Sequence, residues 1–335
     1  MLNMSATTLP IPVPVPLADF PSPLTADLEE VEQILSRSLR NKNPHVAEVV
    51  DHVRGYRGKR LRPTLLFLVA RACGKVVPAH YTLAAVVEMI HTATLVHDDV
   101  LDGAKVRRRL PTVHALWGIQ TSVLLGDYLF THAFHLASTV DSRACEIISA
   151  ATDRVCEGEL FQVMRAGAID LSEAEYFEMI DGKTAALTAC CCELGALYSG
   201  MAPEMTERLS QFGRLVGQAF QITDDLLDLV GDEKVVGKSL GTDLKQRKMT
   251  LPIIHLLRCA NSTEKEKIRL AINTPSDESL NFLRKRLDDA GSLDYSRQTV
   301  IRLLSQARSV LANLPVSIHR TSLESITDQI LERNQ

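Results

Sequence analysis

Apolar side chains return every three or four positions along almost the whole chain after Thr25, as in Leu28, Val31, Ile34, Leu35 and Leu39, and they almost nowhere alternate. That spacing is the period of a helix buried on one face, whereas a half-buried strand repeats every second residue. The chain is therefore expected to be all-α. Start and stop signals divide it: Pro44, Pro63, Pro78, the Pro111-Thr112 pair, a capping box at Ser172 and Glu175, Gly200 ahead of Pro203, and a second box at Thr263 and Glu266. No later segment has the composition of an interdomain linker and no repeat of fixed period is present, so residues 25–335 are expected to form one helical domain. Residues 1–24 differ. Proline interrupts each apolar run of LPIPVPVPLADFPSPL and no basic stretch precedes it, so an extended, flexible arm is expected there rather than a signal peptide or membrane helix.

Only 5% of residues are aromatic against 45% hydrophobic, so Leu, Val, Ile and Ala must fill the core. A net charge of −4 gives no reason to expect a nucleic-acid partner, and any anionic ligand must be met by local charge. Seven cysteines without CxxC or other metal-ligand spacing read as reduced, buried thiols, which predicts a cytoplasmic protein. No run of about 18 uncharged apolar residues occurs, so no transmembrane segment is expected.

Two acidic clusters break the helical pattern. Asp98, Asp99 and Asp102 close the apolar run LAAVVEMIHTATLVHDDVLD, and Asp224, Asp225 and Asp228 close GRLVGQAFQITDDLLDLVGD with the same DDxxD spacing. Carboxylates four residues apart share a helix face and repel, weakening an isolated helix by a few tenths of a kcal/mol. A hard divalent cation answers that repulsion, because Mg²⁺ takes oxygen ligands and is commonly held by one or two carboxylates together with substrate phosphates. A single such cluster is as often a solvated helix end; two with matching apolar approaches point to a metal-bridged diphosphate. The approaches continue as faces through Val87, His91 and Thr94 on one helix and Gly213, Gly217 and Gln221 on the other, where small residues leave room either for a ligand or for close helix packing.

Basic segments stand beside the acids. Gly58-Lys59-Arg60-Leu61-Arg62-Pro63 opens a helix, whose free N–H groups can join Lys59 and Arg62 in holding an anion. Arg107, Arg108 and Arg109 follow the first cluster. Lys183-Thr184 and the glycine-punctuated stretch from Gly237 and Lys238 to Lys248 complete the set. Each alone reads more often as a solvated face; their order around the acids is what marks them.

In combination GKRLRP, EMIHTATLVHDDVLD, RR followed by PT, GDYL, KT, FQITDDLLD and GKSLGTDLKQRKMTLP resemble the trans-isoprenyl diphosphate synthases, and among them the bacterial polyprenyl (octaprenyl- or solanesyl-type) diphosphate synthases, over residues 25–335. The resemblance implies a single large helical bundle of the isoprenoid synthase type with a central cavity, usually a homodimer. It implies that Asp98, Asp102 and Asp224 hold Mg²⁺, three ions per site with substrate bound, with Asp99, Asp225 and Asp228 completing the clusters. Arg107, Lys183, Lys238 and Lys248 would meet the diphosphate of an allylic primer, and Lys59, Arg62, His91 and Arg108 that of isopentenyl diphosphate. Thr184 and Gln221 would face the reacting carbons. Arg109 and Arg247 stand where relatives commonly carry glycine, which leaves the loop geometry there open.

The implied reaction is ionisation of the allylic C–O bond, alkylation of isopentenyl diphosphate by the resulting cation, and proton loss, giving a product five carbons longer. Ala93 and Thr94, one turn before Asp98, are small where short-chain members often place an aromatic floor, so a medium- or long-chain product is expected; Ile90, Val87 and Phe134 are candidates for a deeper floor. A non-catalytic subunit would normally lack one acidic motif, and a terpene cyclase would replace the second with a different metal motif. The ExxH at Glu88 and His91 is single, whereas a di-iron bundle uses two.

Overall fold

Two helices with hardly any polar face form the centre of the molecule. In α3 (Leu61–Cys73) every residue from Pro63 to Ala70 is buried, and in α8 (Ala186–Leu197) every residue from Ala186 to Cys192 is buried. Helices apolar all round belong inside a bundle, so the other elements wrap these two. The computed structural model describes residues 22–56, 58–230 and 241–332. Packed against α3 are α1 (Ser22–Ser38), α4 (Pro78–Leu101) and α15 (Ile318–Glu332). The long α9 (Pro203–Val230) lies between α8 and α14 (Ser292–Leu311), and α5 (Val113–Ser138) runs along α4. α6 (Ser142–Met164) reaches α8 and the turn preceding it. Shorter helices complete the shell: α2 (Pro44–Arg54), α7 (Glu173–Ile180), α10 (Thr242–Lys245), α11 (Leu251–Cys259), α12 (Ser262–Asn273) and α13 (Asp277–Asp289). Among the described residues no helix is long and apolar enough to cross a membrane.

Most sequence signals fall where the helices begin. Pro44 and Pro78 are first residues of α2 and α4, Thr112 precedes α5, and Ser172 and Glu175 cap α7 reciprocally. The second capping box lies two residues upstream of the expected Thr263 and Glu266. Asn261 Oδ1 accepts from Glu264 N at 3.0 Å, and Glu264 Oε2 accepts from Asn261 N at 3.3 Å. Asparagine caps at least as well as threonine, and starting earlier adds half a turn of helix.

The first helix begins at Ser22, inside the segment expected to be an arm, and Leu24 has no exposed surface. Asp27, 2% exposed, holds α1 to the centre by accepting from Arg71 Nε and Nη2 at 2.8 and 2.9 Å and from the Tyr81 hydroxyl at 2.9 Å. The earlier part of the expected arm, residues 1–21, lies outside the described residues. All seven cysteines are unpaired; Cys190, Cys191 and Cys192 are buried as expected, but Cys156 and Cys259 are exposed. The room left by Gly213 and Gly217 is taken by α8 and the turn before it and not by a ligand channel. A Cβ on Gly213 would stand 2.5 Å from the Thr188 carbonyl oxygen, and one on Gly217 2.6 Å from Ala185 Cα.

The only strand pair among the described residues is a hairpin of β1 (Val106–Arg107) and β2 (Leu110–Pro111), in which Arg107 faces Leu110. Its two-residue turn is Arg108-Arg109, with φ of 49° and 68°. Positive φ at both central residues is the type I′ pattern that favours Asn-Gly, and a bulky side chain there costs about 1 kcal/mol or more. Arg247 also has a positive φ, 56°, so both departures from the common glycine keep the glycine-like backbone. Arg109→Gly is expected to raise stability by about 1 kcal/mol. An unchanged or lower urea midpoint would argue against strain in the turn.

Candidate active site

α4 ends in the first acidic motif. Asp98 and Asp99 lie in its last turn and Asp102 is its C-cap, where the carbonyl end of the helix dipole disfavours carboxylates and cations are needed nearby. Burial pushes the Asp98 carboxyl up; Lys183 pulls it back, Asp102 adds to the rise, and Arg107 and Lys248 oppose it. Lys248 Nζ is 3.1 Å from Asp102 Oδ1. Asp99 is one residue and about 100° round the helix. It is 1% exposed and receives Arg107 Nε on Oδ1 at 2.6 Å, so it orients the arginine from behind. Burial raises its pKa and Arg107 pulls it down.

Lys183 and Thr184 project from a π-helical turn, Asp181–Ala185, between α7 and α8. Such insertions are rare and concentrate at functional sites. Three donors hold this one through Asp181: Arg214, Gln218 Nε2 at 3.1 Å, and Arg154 Nη2 at 3.5 Å. Glycines let α6 touch its backbone. A Cβ on Gly182 would be 2.5 Å from the Arg154 carbonyl oxygen, and one on Gly158 would run into Lys183 N and lie 2.9 Å from Gly182 C. Lys183 Nζ rests 2.8 Å from Glu159 Oε1. Burial alone would lower its pKa, but Glu159 and Asp98 outweigh it and keep the ammonium charged. The neighbouring Thr184 Oγ1 donates to Gln221 Oε1 at 2.7 Å. One turn thus carries a cation toward the first motif and a hydroxyl toward the second.

Asp224, Asp225 and Asp228 lie near the end of α9. Asp225 is 5% exposed, and both its oxygens accept hydrogen bonds, Oδ1 from Gln221 Nε2 at 2.8 Å and Oδ2 from the Tyr176 hydroxyl at 2.7 Å. Burial, with Asp243 adding to it, pushes Asp225 up to about 8 against the pull of those two donors. Asp228, 1% exposed, accepts from Asp243 N at 3.0 Å on Oδ2 and from Gly241 N at 2.8 Å on its carbonyl. These contacts tie α10 to α9, and Lys248 N donating to Asp243 O at 2.8 Å continues the chain toward Asp102. The middle aspartate of each motif therefore holds a neighbour in place, while Asp98 and Asp102 share the other face of α4. Lys238 lies outside the described residues.

A separate basic pocket forms where α3 begins. Burial drives the His91 imidazole well below its usual pKa, and Arg62, Arg108, Arg107 and Arg60 drive it further. Arg62 Nε is buried without a hydrogen-bond partner among the described residues. Such an orphaned donor beside a neutral imidazole marks a place for an anion. Arg108 donates to the Tyr56 carbonyl and lies over Gly58. Lys59 is exposed in the loop leading into α3. Among the tunnel candidates, Val87, Ile90 and Ala93 have no exposed surface, whereas Thr94 and Phe134 are half-buried.

Several contributors carried no sequence signal of their own. Arg60, at a left-handed position, pairs with Glu88 and with Glu32 Oε1 at 2.6 Å, so the ExxH glutamate serves an ion pair in the basic pocket. Glu159, Tyr176 and Asp181 lie far in sequence from the groups they hold. Gly158 beside Glu159 was the readable hint, a glycine inside an otherwise regular helix.

Asp98, Asp102 and Asp224 each offer oxygen ligands, the kind a hard cation takes. Among the described residues no three acid, imidazole or thiol groups converge to cage an ion alone.

The polyprenyl synthetase family model matches residues 43–285, well over half the chain. The chain belongs to the polyprenyl synthetase family. It is 36% identical to an all-trans-nonaprenyl-diphosphate synthase (geranyl-diphosphate specific) of Rhodobacter capsulatus, covering 95% of this chain and 98% of that one. It is 33% identical to octaprenyl diphosphate synthase of Escherichia coli, over 92% and 100% of the two chains. Among solved structures, a decaprenyl diphosphate synthase from Rhodobacter capsulatus superposes with a TM-score of 0.88 at 36% identity, covering 93% and 98%. A polyprenyl synthase from Caulobacter crescentus, complexed with calcium and isoprenyl diphosphate, gives 0.87 at 34%, covering 93% and 96%. The all-α isoprenyl synthase fold and the prenyltransferase assignment follow.

Proposed function

We propose that this polyprenyl synthetase family member condenses an allylic diphosphate primer with isopentenyl diphosphate, repeatedly, to a medium- or long-chain all-trans polyprenyl diphosphate. The observation that carries the reading is the π-helical turn, where Lys183 interacts with Asp98 and Thr184 bonds Gln221, so diphosphate-binding charge and cation-facing oxygens meet on adjacent residues. Asp98, Asp102 and Asp224 are the ligands for Mg²⁺, three ions per site with substrates bound. When present, the metal supplies charge stabilisation to the departing diphosphate.

Arg107, Lys183, Lys238 and Lys248 bind the primer's diphosphate and steady it as the allylic C–O bond breaks. Lys59, Arg62, His91 and Arg108 hold the diphosphate of isopentenyl diphosphate, with the unpartnered Nε of Arg62 as one donor. Thr184 and Gln221 turn oxygen dipoles toward the allylic cation while it alkylates the double bond. The proton lost from the adduct goes to the released diphosphate, which restores an allylic product. The tail extends past the small Ala93 and Thr94, with Ile90, Val87 or Phe134 setting its limit.

α5 and α6, which pack together, expose an apolar stripe of Leu116, Ile119, Val123 and Leu124 with Leu160, Val163 and Met164, the last 82% exposed. A second copy of this chain covers it, making a homodimer. The seven free thiols suit a cytoplasmic setting.

Incubation of the purified chain with labelled isopentenyl diphosphate and each allylic primer, with and without Mg²⁺, tests the reading. Metal-dependent elongation is expected, and resolving the products reads the chain length directly. Folded protein that elongates no primer would point to a partner-subunit role, and a cyclic hydrocarbon product to a cyclase.

A further inference from the structure

The tyrosine of α7 has no part in the reading above, yet its hydroxyl ends inside the site. Tyr176 is fully buried, and among the described residues its polar atom meets one group, Asp225 Oδ2, at 2.7 Å. We propose that Tyr176 is a positioning residue of the condensation: through Asp225 it fixes which way the Gln221 carboxamide and the Thr184 hydroxyl point. The proposal rests on the reading of Gln221 and Thr184 given above and extends it.

Polarity along the chain of bonds makes the case. A phenol at neutral pH carries its proton and donates it. Asp225 accepts at both oxygens, and with Tyr176 on Oδ2 the place for a second donor is Oδ1. Gln221 answers with its NH₂ at 2.8 Å. The amide cannot then be flipped, and its carbonyl oxygen must lie at the other end. There it accepts from Thr184 Oγ1 at 2.7 Å. The Thr184 proton is thereby committed to Gln221, and the lone pairs left on Thr184 Oγ1 and Gln221 Oε1 are the ones available to a carbon that becomes cationic. Donation thus converges on Asp225, from Thr184 through Gln221 at Oδ1 and from Tyr176 at Oδ2, and the successive bonds from Thr184 through Gln221 to Asp225 strengthen one another. Without the phenol hydroxyl, Asp225 keeps a buried oxygen with no donor, and the amide loses the constraint that sets its orientation. A flipped Gln221 would direct N–H groups toward the developing cation.

The test is the full-length Tyr176→Phe protein, which keeps the ring and removes one oxygen. Turnover is expected to fall about tenfold to a hundredfold, less than the roughly hundred- to thousandfold for losing a preorganised dipole outright, because the dipole is misdirected and not removed. KM for isopentenyl diphosphate and the Mg²⁺ concentration for half-maximal rate should stay within about twofold. The share of primer released as allylic alcohol should rise, because a poorly held cation is captured by water. Tyr176→Phe combined with Gln221→Ala should be no slower than Gln221→Ala alone, since the phenol acts through that amide. Turnover within about twofold of wild type, or effects that add in the double variant, would overturn the proposal. A thermal melt accompanies each protein. Should Tyr176→Phe not fold, Asp225→Asn replaces it: asparagine cannot accept from both donors, so the same loss of turnover and the same non-additivity with Gln221→Ala are required. Wild-type protein that fails to elongate would remove the reading of the site itself, whereas active wild type with an unimpaired Tyr176→Phe removes only this role.

Discussion

Asp98→Ala is expected to retain its fold and to lose elongation by about a thousandfold or more. Asp98 and Asp102 are the carboxylates that share one face at the end of α4, with Lys183 and Lys248 beside them. Removing one carboxylate from a site that places charge on a departing diphosphate withdraws stabilisation of the order of 4 kcal/mol from the transition state. Folding should not suffer. Burial, set against Lys183 and reinforced by Asp102, raises the Asp98 pKa above its value in the unfolded chain. The native state therefore binds the Asp98 proton more tightly, and stability falls as pH rises from the unfolded pKa to the folded one. Above that window the ionised side chain is a net cost in the metal-free protein, which alanine removes. The metal-free variant should consequently melt at or slightly above the wild-type temperature at neutral pH. Near-normal turnover of labelled isopentenyl diphosphate by Asp98→Ala would remove the metal assignment.

The largest combined loss of stability and activity from a single methyl group is expected at Gly158→Ala. The added Cβ would strike Lys183 N, with Gly182 C at 2.9 Å and the Met179 carbonyl oxygen at 3.0 Å. All three are backbone atoms, so no rotamer change relieves the clash, and α6 must move away from the π-helical turn. Overpacking of this kind costs about 3 kcal/mol. Lys183 and Thr184 move with the turn, and a displacement of about 1 Å in a reacting constellation costs roughly a hundredfold in rate. A urea titration and a kcat measurement on the same preparation read both effects. An unaltered midpoint with unaltered kcat would mean that α6 and the turn are farther apart than described.

The DDxxD motifs were legible because helical spacing fixes which acids share a face. Asp98 with Asp102 needs nothing but the 3.6-residue period. That period also foretold that Asp99 would point elsewhere, though not that Arg107 waits for it. In GKRLRP the sequence singled out Lys59 and Arg62 as anion holders and was silent on Arg60. The structure sends Arg60 to Glu88 and Glu32 and leaves an unpartnered donor on Arg62, a division decided by a left-handed backbone at Arg60 that no spacing rule signals. Gly213 and Gly217 read equally as channel or contact until α8 and the turn before it were seen to fill the space. Tyr176 could not be found by pattern, and Glu159 only through the glycine beside it. One is an ordinary helix acid, the other an ordinary core aromatic, and each acquires its meaning from a residue 24 or 49 positions away.

Each of three cations around the first motif already has a carboxylate: Arg107 has Asp99, Lys183 has Glu159, and Lys248 has Asp102. Filling such a site is an exchange of partners more than an addition of charge. For the reading proposed here, Asp102 must release an ammonium to take a metal, and the freed ammonium then meets a phosphate oxygen. Either newcomer alone leaves one side of the swap unanswered. Metal and diphosphate should each raise the other's affinity by the same factor, as linkage requires. An enzyme wired this way stays electrically quiet when empty and resists holding a bare metal ion or a bare diphosphate, so the reactive arrangement assembles only when both arrive.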